Sequence, residues 1–556
     1  MGNRALRLKF IGGDWIGPAV SYALPLMAGA TLGVSLVYLA VRPQWGDQTW
    51  LLFAARRVLD GASLGGDLVE VNAPLIVWLT GIPAAIGGAL GIRLPAAMQG
   101  FVIVLVAFSV AWSAILLCRG APGARRFAGW FALSMLFATV VHPWVHYGQR
   151  EHLMLLLVIP YLVMAAARID GEAPSNGEAL VAGLCAGIGF LLKPHHVFVV
   201  LAVEALVLVR SRDFRLMYRL EIAAMAATAL GYVIAVWHWT PDYLLKVVPL
   251  AINTYYGYHR GALWDLILPM RGLKLVIVVL LWAVLYRRLA HRALATVLLL
   301  AGVGATIGYL VQLKGHEYHF VPAIAFFDLL FAVLVIDQWL QWTARRQLPI
   351  SADLASVGAA VMFIAVIALC YPLQVARAVN NGYTDARVAV QRAVSQAIPR
   401  GATVLILSTS VGPVFEQVLD RGWKWGSRFD CLWMLPAIFN AELAADFDET
   451  IEPEAMRDAA TLTRNAVSAD LARWHPNPVL VDRCDDTSIT PCMGIGSLRL
   501  DLLQWLRRDS GFAAAWADYV RAGQVGPYDL WCRKDEGGVC RDILASPLAE
   551  ASVSPL

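Results

Sequence analysis

Charge is what this chain has least of. Of its 556 residues only 15% are charged, 41 acidic and 45 basic, against roughly 25% in soluble globular chains. With 58% hydrophobic residues and a mean hydropathy of +0.60, a soluble globular protein is excluded and a polytopic membrane protein is indicated. The net charge of +4 is thinly spread, without the basic block that would point to nucleic acid. No phosphate-loop pattern occurs, because Gly494-Ile-Gly496 lacks a third glycine and the strand–helix setting. Internal repeats and low-complexity tracts are also missing. Cysteine is sparse and uneven. Cys118, Cys185 and Cys370 lie in or beside apolar runs, whereas Cys431, Cys484, Cys492, Cys532 and Cys540 fall in the polar C-terminal part. The short spacings Cys484 to Cys492 and Cys532 to Cys540 read as local disulfides, which need an oxidising compartment. Five free thiols in a reducing one is the competing reading, and topology decides between them.

What is abundant is apolar runs of about 15–22 residues, the length that crosses a bilayer core. They fall at 19–41, 97–117, 127–143, 153–168, 179–192, 196–210, 219–238, 272–286, 293–312, 320–342 and 353–371. A twelfth stretch, 74–91, is apolar but interrupted by Pro74, Pro83 and Gly87-Gly88. If it does not cross, the basic clusters around Arg4, Arg119, Arg168, Arg210, Arg287 and Arg345 all share one side. The positive-inside rule then gives eleven spans, a horizontal or re-entrant 74–91, an inner N-terminus and an outer C-terminus. The cysteine pairs consequently lie outside, in agreement with disulfides. The first span reads as retained rather than as a cleaved signal.

The chain divides at Pro372. Residues 1–372 form an all-α membrane domain and 373–556 a small α/β or α+β domain. Within the latter Val404 to Leu407, Ser408 to Pro413 and Val414 to Leu419 predict strand, turn and helix. Val479 to Val481 predicts a second strand, and Leu498 to Trp516 an amphipathic helix interrupted near Gly511.

The outer loops carry the chemistry. They hold eight of the 11 histidines, together with Asp47, Asp67, Glu70, Glu151, Lys193, Arg260 and Lys314. Aromatic and histidine residues gather at interfaces anyway, but carboxylates and lysines recurring in nearly every outer loop point to a polar site. Asp47 follows the first span between Trp45 and Trp50. A carboxylate there suits a base that takes a proton from an acceptor hydroxyl; an ordinary acidic interfacial residue is the plain alternative. Lys314-Gly-His316-Glu317-Tyr318-His319 puts five polar residues in six between two long apolar spans, a costly insertion unless a site uses it.

Gly46-Asp47, Ala54-Ala55-Arg56, Leu59, Gly61 and Asn72-Ala73-Pro74-Leu75 together resemble the first outer loop of the GT-C glycosyltransferases. That superfamily of polyprenyl-phosphate-sugar-dependent enzymes includes the protein O-mannosyltransferases and the lipid A aminoarabinose transferases. This loop closes with Ala-Pro-Leu rather than Pro-Pro-Leu, and its acid is followed by Gln rather than the Glu of the mannosyltransferases. The resemblance implies an integral membrane transferase in a bacterial cytoplasmic (inner) membrane. It would move a sugar from a polyprenyl-phosphate donor, with inversion, to an envelope glycan, lipid or protein on the outer face.

On that reading Asp47 is the base. Asp67, Lys193, His195, Arg260, Lys314, His316 and Tyr318 bind substrate, the cations neutralising the carrier phosphate. Glu70, Glu151 and His152 hold a divalent metal cation, or else Arg150-Glu151-His152 is a hydrogen-bonded helix cap. The rival function is a transporter or flippase of a lipid-linked sugar, which calls for ionisable residues in mid-span and for repeated halves. Topology is testable directly: single cysteines replacing Ser63 and Ser488 should label from outside and one replacing Ser211 only from inside, and outside labelling at 211 overturns the eleven-span arrangement.

Overall fold

Nine of the eleven expected spans lie among residues the structure describes, and each is a helix. A computed structural model describes residues 46–119, 124–143, 146–255, 271–345, 393–411, 415–443, 453–486, 492 and 499–546. The expected spans 19–41 and 353–371, Arg260 and the division at 372–373 fall outside these residues. Among the described residues seven helices are long and apolar enough to cross a bilayer: Leu94–Leu117, Ala124–Val141, Arg150–Ile169, Pro194–Ser211, Leu220–Trp239, Arg292–Gln312 and Glu317–Trp342. Asn176–Leu192 has 17 residues and Arg271–Leu285 has 15. At 1.5 Å per residue such helices reach roughly 22–26 Å, somewhat short of the ~30 Å hydrocarbon core.

The stretch expected to be interrupted is one continuous helix, Pro74–Leu90. Pro74 stands in its first turn, where a missing N–H leaves no bond unmade, and Pro83 is carried inside it. It ends at Gly91, left-handed at φ 65°, whose N–H returns to the Gly87 carbonyl.

Ion pairs sort the loops into two sets, as the charge pattern anticipates. At one end Arg168 meets Glu221 at 2.6 Å, Arg210 donates to the Tyr286 hydroxyl at 2.6 Å, and His291 lies 2.6 Å from Asp337. At the other end Arg150, Lys193, Tyr255, Lys314 and Tyr318 converge. Between the ends runs Arg150–Ile169, in which every residue from Glu151 to Ala166 is buried. It is the axis of the helical core.

Glycine sets how closely its neighbours approach. A Cβ on Gly183 would stand 2.4 Å from the Glu221 carbonyl oxygen and 2.8 Å from Ala224 Cβ, and one on Gly304 2.7 Å from the Phe198 carbonyl oxygen. Small residues of this kind let helix backbones touch where apolar solvent gives no hydrophobic drive.

The C-terminal part is built on a five-stranded sheet in the order β2-β1-β3-β5-β4. Its strands are β1 (Thr403–Leu407), β2 (Lys424–Trp425), β3 (Val479–Asp482), β4 (Tyr519–Val525) and β5 (Tyr528–Arg533). β1 runs parallel to β2 and β3, while β5 is antiparallel to both β3 and β4. The strand at 404–407 and the strand at 479 stand where the sequence places them, and the helix that follows the first is Phe415–Arg421, residues 412–414 lying outside the described ones. The helix expected over 498–516 is instead two, Leu502–Leu506 and Ser510–Trp516. Each is started by an aspartate: Asp501 accepts from Gln504 N at 2.8 Å and Asp509 from Phe512 N at 2.7 Å. The break therefore belongs to Asp509 rather than Gly511. Both short cysteine loops are closed, Cys484–Cys492 and Cys532–Cys540, and Cys431 is a buried free thiol.

The sheet domain shares apolar cores with the helical part: Trp50, Phe53 and Val77 belong to one cluster with Phe415, Trp425 and Leu480. Close helix packing has a measurable consequence. Gly183→Ala should lower the thermal midpoint of the detergent-solubilised protein, by about 1–3 kcal/mol of overpacking. Gly231→Ala, with nothing within 4 Å of its added Cβ, should not.

Candidate active site

Asp47 lies in the first turn of the helix Gly46–Leu59. Trp50 and Ala54, three and seven residues on, share its face and are buried. Asp47 is half-buried at the polar end of the bundle, within electrostatic reach of Arg150, Glu151 and Lys193. Burial raises its carboxyl above the ordinary range; Arg150 and Lys193 pull it back and Glu151 pushes it further up. A base of raised pKa is a stronger proton acceptor.

The loop after this helix brings in a second carboxylate. Glu70, 1% exposed, accepts from the Trp50 indole N–H and, at 2.6 Å, from the Asn72 amide. Its carboxyl is likewise raised by burial. Asn72 Oδ1 in turn accepts from the Arg150 guanidinium, so Arg150 is aimed at the site by the first loop. Beside Glu70, Val69 N donates to the Arg428 carbonyl at 2.8 Å, stitching the loop to the sheet domain. Two residues on stands Asp430, a third carboxyl of the same neighbourhood. Burial, then Glu70, then Asp47 hold it well above the usual carboxylate range.

Asp67 departs from its expected role. Its carboxylate accepts from Ser63 N at 3.1 Å and Ser63 Oγ at 2.9 Å, and Arg473 lies 3.8 Å away. The Ser63 bonds hold it below the ordinary value. It stabilises the turn, and the turn is wedged: a Cβ on Gly65, at φ +92°, would stand 2.5 Å from the Asp242–Tyr243 peptide.

The second loop supplies an ion pair, Glu151 Oε1 to Lys193 Nζ at 2.7 Å, both residues buried, with His319 Nε2 at 3.6 Å. Lys193 also sits 5.7 Å from the Tyr318 ring. His152 is fully committed elsewhere. Its Nδ1 accepts from Gly148 N at 2.9 Å, so its Nε2–H donates to the Thr139 carbonyl at 2.6 Å. Neither ring nitrogen is left for an ion. The expected metal set Glu70, Glu151 and His152 is therefore not assembled. Among the described residues the His, Cys, Asp and Glu group within mutual ligand reach is Asp482, Cys484 and Cys492, whose sulfurs form a disulfide. Nor do Arg150, Glu151 and His152 form one cap: they turn to Asn72, Lys193 and Thr139 respectively.

The third polar loop closes the site. Gly315 takes φ 68° there, and Lys314 donates to the Tyr255 carbonyl with its Nζ 4.3 Å from the Tyr255 ring centre. His316 stacks on Tyr318 at 5.4 Å between centroids, and His195 stands within electrostatic reach of Lys193, Arg150 and Glu151. Thus Asp47, Glu70, Lys193, His195, Lys314, His316 and Tyr318 gather at one end, Asp67 faces the turn, and Arg260 is outside the described residues. Sequence reasoning missed Arg150, Tyr255 and Asp430 as site residues. Arg150 was visible as a cation opening an apolar span. Asp430, in Ser427-Arg428-Phe429-Asp430-Cys431, carries no local signal, because a fold contact alone brings it there.

The fold is thus an apolar helical bundle with a polar site at one end and a small mixed sheet domain beside it. The fold is similar to that of ArnT from Cupriavidus metallidurans in the apo state. The match has a TM-score of 0.52 and 13% identity, and covers 84% of this chain and 93% of that one. No protein-family model matches the sequence, and no curated protein matches it.

The raised carboxyls fix the sign of a pH effect. Asp47, Glu70 and Asp430 bind a proton more tightly folded than unfolded. Their contribution to stability is therefore complete below ordinary carboxylate values and lost as pH rises through the raised ones. Thermal midpoints followed across that window should fall with rising pH in the wild type and fall less in Asp430→Asn; identical slopes would remove Asp430 from the cluster.

Proposed function

We propose that this chain is an integral membrane glycosyltransferase of the GT-C type, working at the outer face of a bacterial inner membrane. Its donor is a sugar on a polyprenyl phosphate and its acceptor a hydroxyl of an envelope glycan, lipid or protein. The observation that carries this reading is a half-buried carboxylate, Asp47, within electrostatic reach of Arg150 at the end of the bundle beside the sheet domain.

The chemistry follows from the groups present. The acceptor hydroxyl loses its proton to Asp47 as its oxygen attacks the anomeric carbon. The bond to the carrier phosphate breaks from the opposite side, inverting the centre. Negative charge grows on that phosphate as it leaves, and a guanidinium is suited to receive it in a water-poor site. Arg150 is the cation best placed, with Lys314 behind the Tyr255 ring. Lys193 has Glu151 as its counter-charge, so it orders the pocket more than it clamps phosphate. No step is routed through a metal, for which the expected trio offers no ligand set.

Asp47→Asn preserves shape but removes the base, so turnover of polyprenyl-phosphate sugars from a lipid extract should drop by roughly 10²-fold or more. Asp67→Asn should leave turnover within a few-fold and lower the stability of the turn. Normal turnover in Asp47→Asn, with continued movement of the lipid-linked sugar across vesicle membranes, would replace this reading with that of a flippase.

A further inference from the structure

Among the described residues, Phe415 of the sheet domain packs its ring against the helix that bears Asp47. Phe415, 0% exposed, opens the helix Phe415–Arg421. Its ring stands edge-on to Trp50 at 5.3 Å and 78°, and to Phe53 at 5.5 Å and 82°. On its other side it meets Trp425 at 4.7 Å and 64°. Phe415 therefore contacts two aromatic rings of the Asp47 helix and one of its own sheet.

These contacts close on themselves. Trp50 donates to Glu70, and the neighbouring Val69 donates to the Arg428 carbonyl at 2.8 Å. Phe429, next in the chain, accepts from the Trp425 indole at 2.7 Å, and Trp425 returns to Phe415. Asp47 sits one turn before Trp50, while Glu70 and Asp430 are direct chain neighbours of Val69 and Phe429. All three carboxylate carriers are thus held in one loop of contacts.

A second buried cluster, of Tyr243, Val247 and Leu250 with Phe429 and Trp433, joins the two parts without the Asp47 helix, and the ion pairs between them are exposed. Arg93 reaches Asp420 at 2.6 Å with the arginine side chain 73% exposed, and Arg473 reaches Asp67 at 3.8 Å with 60%. Pairs of that kind hold little in water. A buried aromatic cluster holds far more.

We propose that Phe415 is a positioning residue for transfer at Asp47, setting the placement of the Asp47 helix through its edge contacts with Trp50 and Phe53. The sheet domain on this view is part of the active site's frame, and the inference rests on the transferase reading above. Phe415 touches no reacting atom. Its loss should leave donor binding nearly intact and slow the chemical step, because a misplacement on the order of 1 Å costs up to about 100-fold in rate.

The test uses full-length purified protein and one polyprenyl-phosphate hexose isolated from a lipid extract, with release of polyprenyl phosphate as readout. Phe415→Leu should lower kcat by roughly 10- to 100-fold per folded molecule with KM within about twofold, and Phe415→Tyr, which keeps the ring, should restore most of it. Phe53→Leu removes one edge contact without touching the sheet core. It should give a smaller loss of the same kind, and serves if Phe415→Leu does not fold. Unchanged kcat per folded molecule in the foldable variant, or a change confined to KM, overturns the proposal. Asp47→Asn is assayed alongside: if it turns over normally the transferase reading has failed, whereas a dead Asp47→Asn beside a normal Phe415→Leu sinks this inference alone.

Discussion

Keeping three carboxyl groups in one poorly hydrated space is the constraint on which the rest of this structure depends. Like charges in low dielectric repel strongly, and Asp47, Glu70 and Asp430 each answer with a raised affinity for protons. The surrounding groups read as compensation. Arg150 offsets Asp47 and is itself anchored by Asn72. Glu70 has two donors, Trp50 and Asn72, for its two oxygens. Glu151, which would add a fourth negative charge, is neutralised by Lys193.

This arrangement needs contributions from distant parts of the chain. The helix after the first span brings Asp47, the following loop Glu70, the start of a central span Arg150, and the sheet domain Asp430. The deeply buried helix Arg150–Ile169 gives the guanidinium a fixed origin. Glycine contacts such as Gly183 against Glu221 keep neighbouring helices from drifting. Aromatic packing around Phe415 gives the sheet domain its registration with the helical part.

How much of this was legible in the sequence depended on whether the signal was local. Long apolar runs are unmistakable, and the loop charges sorted themselves into two sets that the ion pairs reproduce. Asp47 stood out because a carboxylate next to an apolar run is conspicuous, and the cysteine loops were legible because the spacing is short. Pro83 misled, since a proline inside a helix can be tolerated when packing supplies what the backbone loses. His152 looked like a ligand because a histidine beside a glutamate is chemically suggestive, yet the Gly148 amide and the Thr139 carbonyl hold both nitrogens of its ring. Asp430 was out of reach, since nothing within a few residues of it tells which surface it will meet.

The His152 ring has a wider consequence. Its Nε2–H serves the Thr139 carbonyl while Nδ1 receives Gly148 N. One imidazole thus ties the end of one span to the start of the next. Position 152 has room only for a side chain able to give one hydrogen bond and take another, and an apolar one there would leave a buried carbonyl and a buried amide unserved.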